Sequence, residues 1–319
     1  MRWLVTGGLG FIGSHFIRLV LRERPDVEIV NLDAVTYAGN PANLGDVHDH
    51  PRYRFVRGDI CDSATVLAAF GSRGDAIVNF AAETHVDRSI AAPEAFLRTD
   101  VLGTHVLLEA VRVLGIPRYL QVSTDEVYGN VPAGESRESD ALRPRSPYAA
   151  SKAAGDLLAL AYHTTYGAPV LVTRGSNTYG PYQYPEKIVP LFVTNLLDDC
   201  AVPVYGDGMQ IRDWLYVEDH ARAILHVLER GTVGNVYNIS GESPMTNLAL
   251  TRRLLRECGR AMETHVEHVT DRPGHDRRYA VSSEKLRALG WTPQTSFDDG
   301  IAQTVQWYRE HESWWRPFK

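Results

Sequence analysis

Cysteine is scarce in this chain. Cys61, Cys200 and Cys258 are the only three among 319 residues, far apart and odd in number. That pattern fits neither a disulfide framework nor a metal-ligand spacing, and it predicts a reducing, cytoplasmic setting. Long apolar runs are also missing: none approaches the roughly 18 residues of a membrane span, so no membrane association is expected. Positive charge is in deficit, with 33 Lys and Arg against 39 Asp and Glu, a net charge of -6. Such a balance offers no basic stripe for nucleic acid, although a few local arginines could still hold an anionic small molecule. Repeats, low-complexity tracts and charged tails do not occur. The first residues carry no basic segment followed by a small-residue cleavage site, so no signal peptide is expected. The twelve histidines form no close set with Asp or Glu at ligand spacing, and no metal is expected.

What is present is an alternation. Short apolar, β-branched runs fall at 2–7, 27–33, 53–59, 75–83, 118–124, 169–174 and 235–240. Several are nearly continuous, as in strands covered on both faces. Segments of period-3.6 spacing lie between them, notably 93–115, 148–167 and 217–231. Strand–helix alternation predicts an α/β fold, a doubly wound parallel sheet with right-handed crossovers. From residue 175 the pattern loosens into Pro-, Tyr-, Gly- and Asn-rich sequence around one amphipathic stretch near 188–197. With helices near 246–259 and 298–310, this predicts a smaller α+β lobe. The expected division is 1–174 plus about 212–241 for one domain, and about 175–211 plus 242–319 for the other.

TGGLGFIG (6–13) stands where the first strand turns into a helix. Gly7 suits the tight turn, Gly10 lets backbone approach a pyrophosphate, and Gly13 lets helix and strand pack closely. The helix start presents free N–H groups and its positive end to phosphates. Asp33 ends the next strand, where a carboxylate binds ribose hydroxyls and repels a 2′-phosphate, so NAD is expected rather than NADP. In YAASK (148–152), Tyr148 and Lys152 share one helix face. A neighbouring ammonium, helped by the positive nicotinamide ring, favours the phenolate and would draw the tyrosine toward neutrality as a base. Thr124, at the end of a strand, would offer its hydroxyl to the same substrate oxygen. Arg212 and Arg272 suit a diphosphate, because guanidinium groups fork onto phosphate oxygens.

These motifs together resemble the extended short-chain dehydrogenases/reductases over essentially the whole chain. LDAVTYAGNPANL (32–44), AAETHVDRSI (81–90), STDEVYG (123–129), SNTYGPYQYPEKIVPL (176–191), YGDGMQIRDW (205–214) and RPGHDRRYA (272–280) narrow the resemblance to the dTDP-glucose 4,6-dehydratases. It implies a Rossmann-like fold and an internally redox-neutral dehydration of dTDP-glucose in deoxysugar synthesis. Glu126 would be the base at C5, and Asp125, kept protonated, the acid for the departing C6 hydroxyl. An elimination needs such a pair; an epimerase does not. The resemblance adds Phe11, Ile12, Thr36, Asp59, Ile60 and Ala81 to the cofactor contacts. To the sugar nucleotide it assigns Asn177, Lys187, Asn247, His275 and Tyr279, with His85 and Ser89 beside the sugar. Relatives also imply a homodimer through a four-helix bundle from segments 93–115 and 148–167. The competing readings are a UDP-sugar 4-epimerase or decarboxylase on the same fold, and a non-catalytic NAD-binding regulator.

Overall fold

The computed structural model describes residues 1–71 and 74–319. All seven expected apolar runs are strands of one sheet: β1 (Arg2–Thr6), β2 (Glu28–Asp33), β3 (Tyr53–Arg57), β4 (Ala76–Asn79), β5 (Tyr119–Thr124), β6 (Val170–Gly175) and, later in the chain, β10 (Asn235–Ile239). The intervening strands β7 (Asn177–Tyr179), β8 (Val202–Tyr205) and β9 (Ile211–Tyr216), and the later β11 (Pro244–Thr246) and β12 (Val266–Val269), form two small sheets. Across the large sheet the order is β10-β6-β5-β4-β1-β2-β3, every pair parallel. The direction of winding reverses between β4 and β2, on either side of β1. Ligand crevices of such sheets open beyond the carboxyl ends of the strands at that point.

Side-chain alternation explains why helices cover both faces. Trp3, Val5, Ile29, Val78, Leu120 and Leu171 point to one face, packed with α1 (Phe11–Glu23) and α8 (Val217–Arg230). Leu4, Val30, Ile77, Tyr119, Val170 and Val172 point to the other. There they meet α2 (Ser63–Phe70), α5 (Thr104–Leu114) and α6 (Pro147–Tyr166). A separate core gathers Phe192 and Val193 of α7 (Ile188–Leu197), Leu250 and Leu254 of α9 (Asn247–Cys258), Trp214, Tyr308 and Trp315.

One expected helix differs. Segment 93–115 is not a single α-helix: α4 (Pro93–Phe96) passes into a π-helical turn, Leu97–Gly103, before α5 begins. Two groups hold the wide turn open. Thr104 Oγ1 donates to the Asp100 carbonyl at 2.6 Å, and that carbonyl packs where a Cβ on Gly155 of α6 would lie 3.0 Å away. The Asp100 carboxylate turns inward to accept from Ser151 Oγ at 2.6 Å and from the Glu83 N–H at 3.3 Å. Strands β7, β8, β9, β11 and β12 fall where the sequence reads as loops or helix margins. Their three to six residues among Pro and Gly give too little alternation to register.

Behind the strand ends, Arg174 of β6 donates Nε to Asp156 of α6 at 2.9 Å and Nη1 to Tyr128 Oη at 2.7 Å. Tyr128 Oη donates onward to Asn238 of β10 at 2.9 Å. The ion pair is almost fully buried, with side chains 3% and 0% exposed. Burial pushes the Asp156 carboxyl up, and Arg174 pulls it back. Arg174→Met strands that carboxylate in the interior, which costs about 3–5 kcal/mol. Calorimetry should show a melting temperature lower by ~6 °C or more. An unchanged melting temperature would mean that the pair holds nothing together.

Candidate active site

The glycine-rich turn has little tolerance for side chains. Gly7 has φ +68°, and a Cβ there would lie 2.6 Å from the Ala81 nitrogen; one on Gly13 would lie 2.6 Å from the Gly7 carbonyl. The first helical bond runs from Ser14 N to the Gly10 carbonyl at 3.1 Å. The N–H groups of Phe11, Ile12 and Gly13 precede it and point out of the helix start. A Cβ on Gly10 would meet only the Gly7 carbonyl, at 3.1 Å, so the turn is open on its outer side. Asp33 is buried at the end of β2, and its two oxygens accept from Leu9 N at 2.9 Å and Val35 N at 2.8 Å. Each carboxylate oxygen keeps lone-pair capacity for a second donor. A dinucleotide fits this cradle: donors for its phosphates at one point and an acceptor pair for ribose hydroxyls at another.

A cavity of about 340 Å³ extends from this turn to the end of β5. It is lined by Gly7, Gly10, Phe11, Ile12, Gly13, Asp33, Thr36, Asp59, Ile60 and Ala81, and at its far end by Thr124, Asp125, Glu126, Tyr148 and Lys152. These are all the residues expected at the cofactor and the reacting carbons. A second cavity, about 200 Å³, shares Thr84, Glu126, Asn177, Glu186 and Lys187 with the first. It adds His85, Arg212, Asn247, Arg272 and His275. Buried side-chain oxygens of Asn177 and Asn247 have no hydrogen-bond partner among the described residues and stand ready for a polar ligand.

Two expected substrate residues lie elsewhere. Ser89 is fully buried and its hydroxyl donates to the Val86 carbonyl at 2.6 Å within helix α3 (Val86–Ala91). The side chain lines neither cavity. Tyr279 is buried beside Glu126. Its hydroxyl donates to Asp276 at 2.9 Å and lies 3.4 Å from Glu126 Oε2, and its ring lies under Arg212 at 4.1 Å.

Local structure explains the reactive end. Thr124 caps a 3-10 turn, Asp125–Tyr128: its hydroxyl accepts from Glu126 N and donates to Asp125 Oδ1, both at 3.3 Å. Ser146 caps α6 and Pro147 opens it, so Tyr148 projects from the first turn with its ring edge-on to Phe96, centroids 6.3 Å apart. One turn on, Lys152 is buried and Nζ donates to the Val122 carbonyl at 2.8 Å. Fixed at that point, the ammonium cannot swing away from the helix face it shares with Tyr148.

The adjacent carboxyl groups have opposite surroundings. Burial pushes Asp125 well above the usual carboxylate range, and Glu126 and Asp213 push it further. Glu126 is also raised by burial, but Arg212, Arg272 and Lys187 oppose the rise. The first favours its protonated form and the second keeps access to its anion. Tyr148 shares this buried setting. Burial, Glu126 and Asp100 push its phenol well above the ordinary value, and the Thr124 hydroxyl pulls back. Burial also raises Asp100, to about 6, against the pull of Lys152.

The family model for GDP-mannose 4,6 dehydratase matches residues 4–304. The chain is 52% identical to a dTDP-glucose 4,6-dehydratase of Streptomyces niveus, covering 100% of this chain and 96% of that protein. It superposes on DesIV, a dTDP-glucose 4,6-dehydratase of Streptomyces venezuelae solved with NAD, with a TM-score of 0.96, 52% identity and both chains fully covered. The chain belongs to the dTDP-glucose 4,6-dehydratase family. A UDP-glucose 4-epimerase of Thermus thermophilus, solved with NAD, shares the fold at TM-score 0.90 and 33% identity, over 98% of this chain and 100% of that one.

For a member of this family, the reading of residue types overlooked several cavity residues. Thr99, Ser176, Thr178 and His220 line the first cavity, and Tyr205, Phe192 and Trp214 line the second. His220 was legible only as part of a helix. It is buried, its Nδ1 pairs with Thr178 Oγ1 at 2.7 Å, and burial pushes it down to about 3, so the ring is neutral. No spacing rule links a histidine in α8 to a threonine 42 residues earlier. Trp214 ends a motif used for the resemblance, and its indole N–H is buried without a partner among the described residues.

Proposed function

We propose that the chain dehydrates dTDP-glucose to dTDP-4-keto-6-deoxyglucose with one resident NAD. The carrying observation is the contrast between Asp125, set among carboxylates, and Glu126, set among Arg212, Arg272 and Lys187. NAD held by Gly7, Gly10, Gly13 and Asp33 would supply the hydride acceptor for C4 and the hydride donor for C6. Tyr148 takes the C4 hydroxyl proton, with the Thr124 hydroxyl on the same oxygen and Lys152 beneath. The C4 ketone acidifies C5–H. Glu126 removes that proton while Asp125 gives its own to the departing C6 hydroxyl, and Glu126 then reprotonates C5. Arg212 and Arg272 hold the diphosphate, with Asn177, Lys187, Asn247 and His275 along the nucleotide and His85 near the sugar. Tyr279 steadies Glu126. In this reading, residues 1–174 plus about 212–241 carry the cofactor, and about 175–211 plus 242–319 carry the sugar nucleotide. An epimerase or decarboxylase has no use for the Asp125–Glu126 contrast, and a regulator has none for Tyr148 and Lys152.

The decisive experiment is mass spectrometry of dTDP-glucose deuterated at C4, incubated without added NAD. Loss of water with the deuterium retained supports the cycle; an unchanged mass overturns it. Exposed Leu97, Leu102, Val113, Leu157 and Tyr166 support a homodimer through the Leu97–Leu114 segment and α6. The three half-buried or exposed free cysteines suit a cytoplasmic protein.

A further inference from the structure

Three segments far apart in sequence meet beside the first cavity. The Tyr37 hydroxyl donates to Glu186 Oε1 at 3.2 Å, across 149 residues. Arg88 Nε donates to Glu186 Oε2 at 3.2 Å, across 98. The Arg88 guanidinium lies 3.8 Å above the centre of the Tyr37 ring, and Tyr184 meets that ring edge-on at 5.6 Å. One tyrosine, one arginine and one glutamate thus make three mutual contacts, of which neither the sheet nor the catalytic groups have need.

The location gives the contacts a meaning. Thr36, Ala38 and Gly39 line the cavity, and so do Tyr184, Glu186 and Lys187 from a segment distant in sequence. Tyr37, between two lining residues, does not line it. Its ring therefore leaves one lip and reaches the other instead of filling the space below. Arg88 covers the ring with its side chain 49% exposed, so the outer face of the bridge is wet. The lip is tethered at both ends: Val35 N to Asp33 Oδ1 at 2.8 Å, and Asn40 N to the Leu9 carbonyl at 3.1 Å. Both tethers reach the elements that form the phosphate and ribose cradle. Val35 has φ +56°, a conformation a β-branched residue rarely adopts, as expected where surroundings dictate the backbone.

We infer that Tyr37, Arg88 and Glu186 form a clasp that closes the cofactor cleft and sets how slowly NAD leaves. The inference rests on the reading that this cavity holds NAD. A dinucleotide bound from the glycine turn to Lys152 passes under the joined lips, and it escapes only after the three contacts part together. Each contact alone is modest at a wet surface, but they break as one unit. The clasp touches neither the catalytic carboxylates nor Tyr148, so it governs retention and leaves the chemistry alone.

The test is an exchange measurement on the intact protein. Wild type, Tyr37→Ala, Tyr37→Phe and Arg88→Met are loaded with isotopically labelled NAD, chased with unlabelled NAD, and the label still bound is read by mass spectrometry. Tyr37→Ala and Arg88→Met should release label at least about tenfold faster, the combined effect of a charged hydrogen bond and a cation–π contact. They should also purify with less NAD and recover turnover when NAD is added. Tyr37→Phe, which keeps the ring under Arg88 and loses only the hydroxyl, should fall between. Should Tyr37→Ala fail to fold, the two milder variants carry the same comparison. Exchange within about twofold of wild type in both would overturn the clasp. Wild type that retains no NAD would instead overturn the proposed function.

Discussion

Tyr148→Phe is expected to lower kcat by about 10³-fold, with no reduced nicotinamide formed on adding dTDP-glucose. The substitution removes one hydroxyl from a ring held edge-on to Phe96 at the start of α6. Packing and helix capping are kept, so thermal stability should hardly change. The large effect follows from the geometry of the oxidation. A C4 hydroxyl cannot release hydride unless its proton leaves, and the proposed base at that oxygen is Tyr148. Its surroundings make the step dependent on charge. Burial, Glu126 and Asp100 all oppose a phenolate; Lys152, pinned to the Val122 carbonyl at 2.8 Å, and a cationic nicotinamide favour it. Absorbance of the reduced cofactor in single-turnover mixing checks the prediction. Normal cofactor reduction in the variant would remove Tyr148 from the base's role.

Glu126→Gln is expected to uncouple the reaction in the middle. C4 oxidation should proceed, reduced cofactor and a 4-keto sugar should accumulate, and water loss should slow by about 10³-fold or more. Glutamine fills the same space beside Tyr279 but cannot accept the C5 proton. Deuterium from solvent should therefore no longer enter C5, which NMR reads directly. The pH profile of the wild type follows from the same pair. Glu126 must be ionised and its pKa is raised above the usual carboxylate value, so activity is lost as pH falls through that raised pKa. Asp125 must be protonated and its pKa is raised further, so activity is lost again as pH rises through it. Asp125→Asn should abolish that alkaline limb and leave the acidic one. Unaltered turnover in Glu126→Gln would return both carboxylates to a structural role.

The parallel sheet was legible because its strands are short apolar runs with both faces covered. Trp3–Val5 and Val170–Val172 are examples in which successive residues serve different cores. The cofactor cradle was legible because Gly7, Gly13 and Asp33 act within one strand–helix–strand unit. What escaped depends on the tertiary fold. The Thr178–His220 pair and the Tyr37–Arg88–Glu186 cluster join segments by long separations, and residue type alone does not mark them. Ser89 read as a sugar contact from its neighbourhood in a motif, but the end of a short helix claimed its hydroxyl. At Tyr148 the i,i+4 spacing announces Lys152, but nothing local announces the approach of Asp100.

The π-helical turn carries a consequence for how this region of the gene can vary. Its extra residue rotates everything upstream of Thr104 relative to everything downstream. Deleting any one residue within Leu97–Gly103 would restore a regular helix and turn the preceding face by about 100°. Asp100 would then leave Ser151, and the backbone that nestles on Gly155 would lose its fit. Point substitutions at the exposed Leu97 and Leu102 can be absorbed; changes of length cannot. The segment has a reading frame of its own, set by geometry, in which an insertion or deletion of a single codon triplet is as disruptive to the active site as replacing a residue inside it.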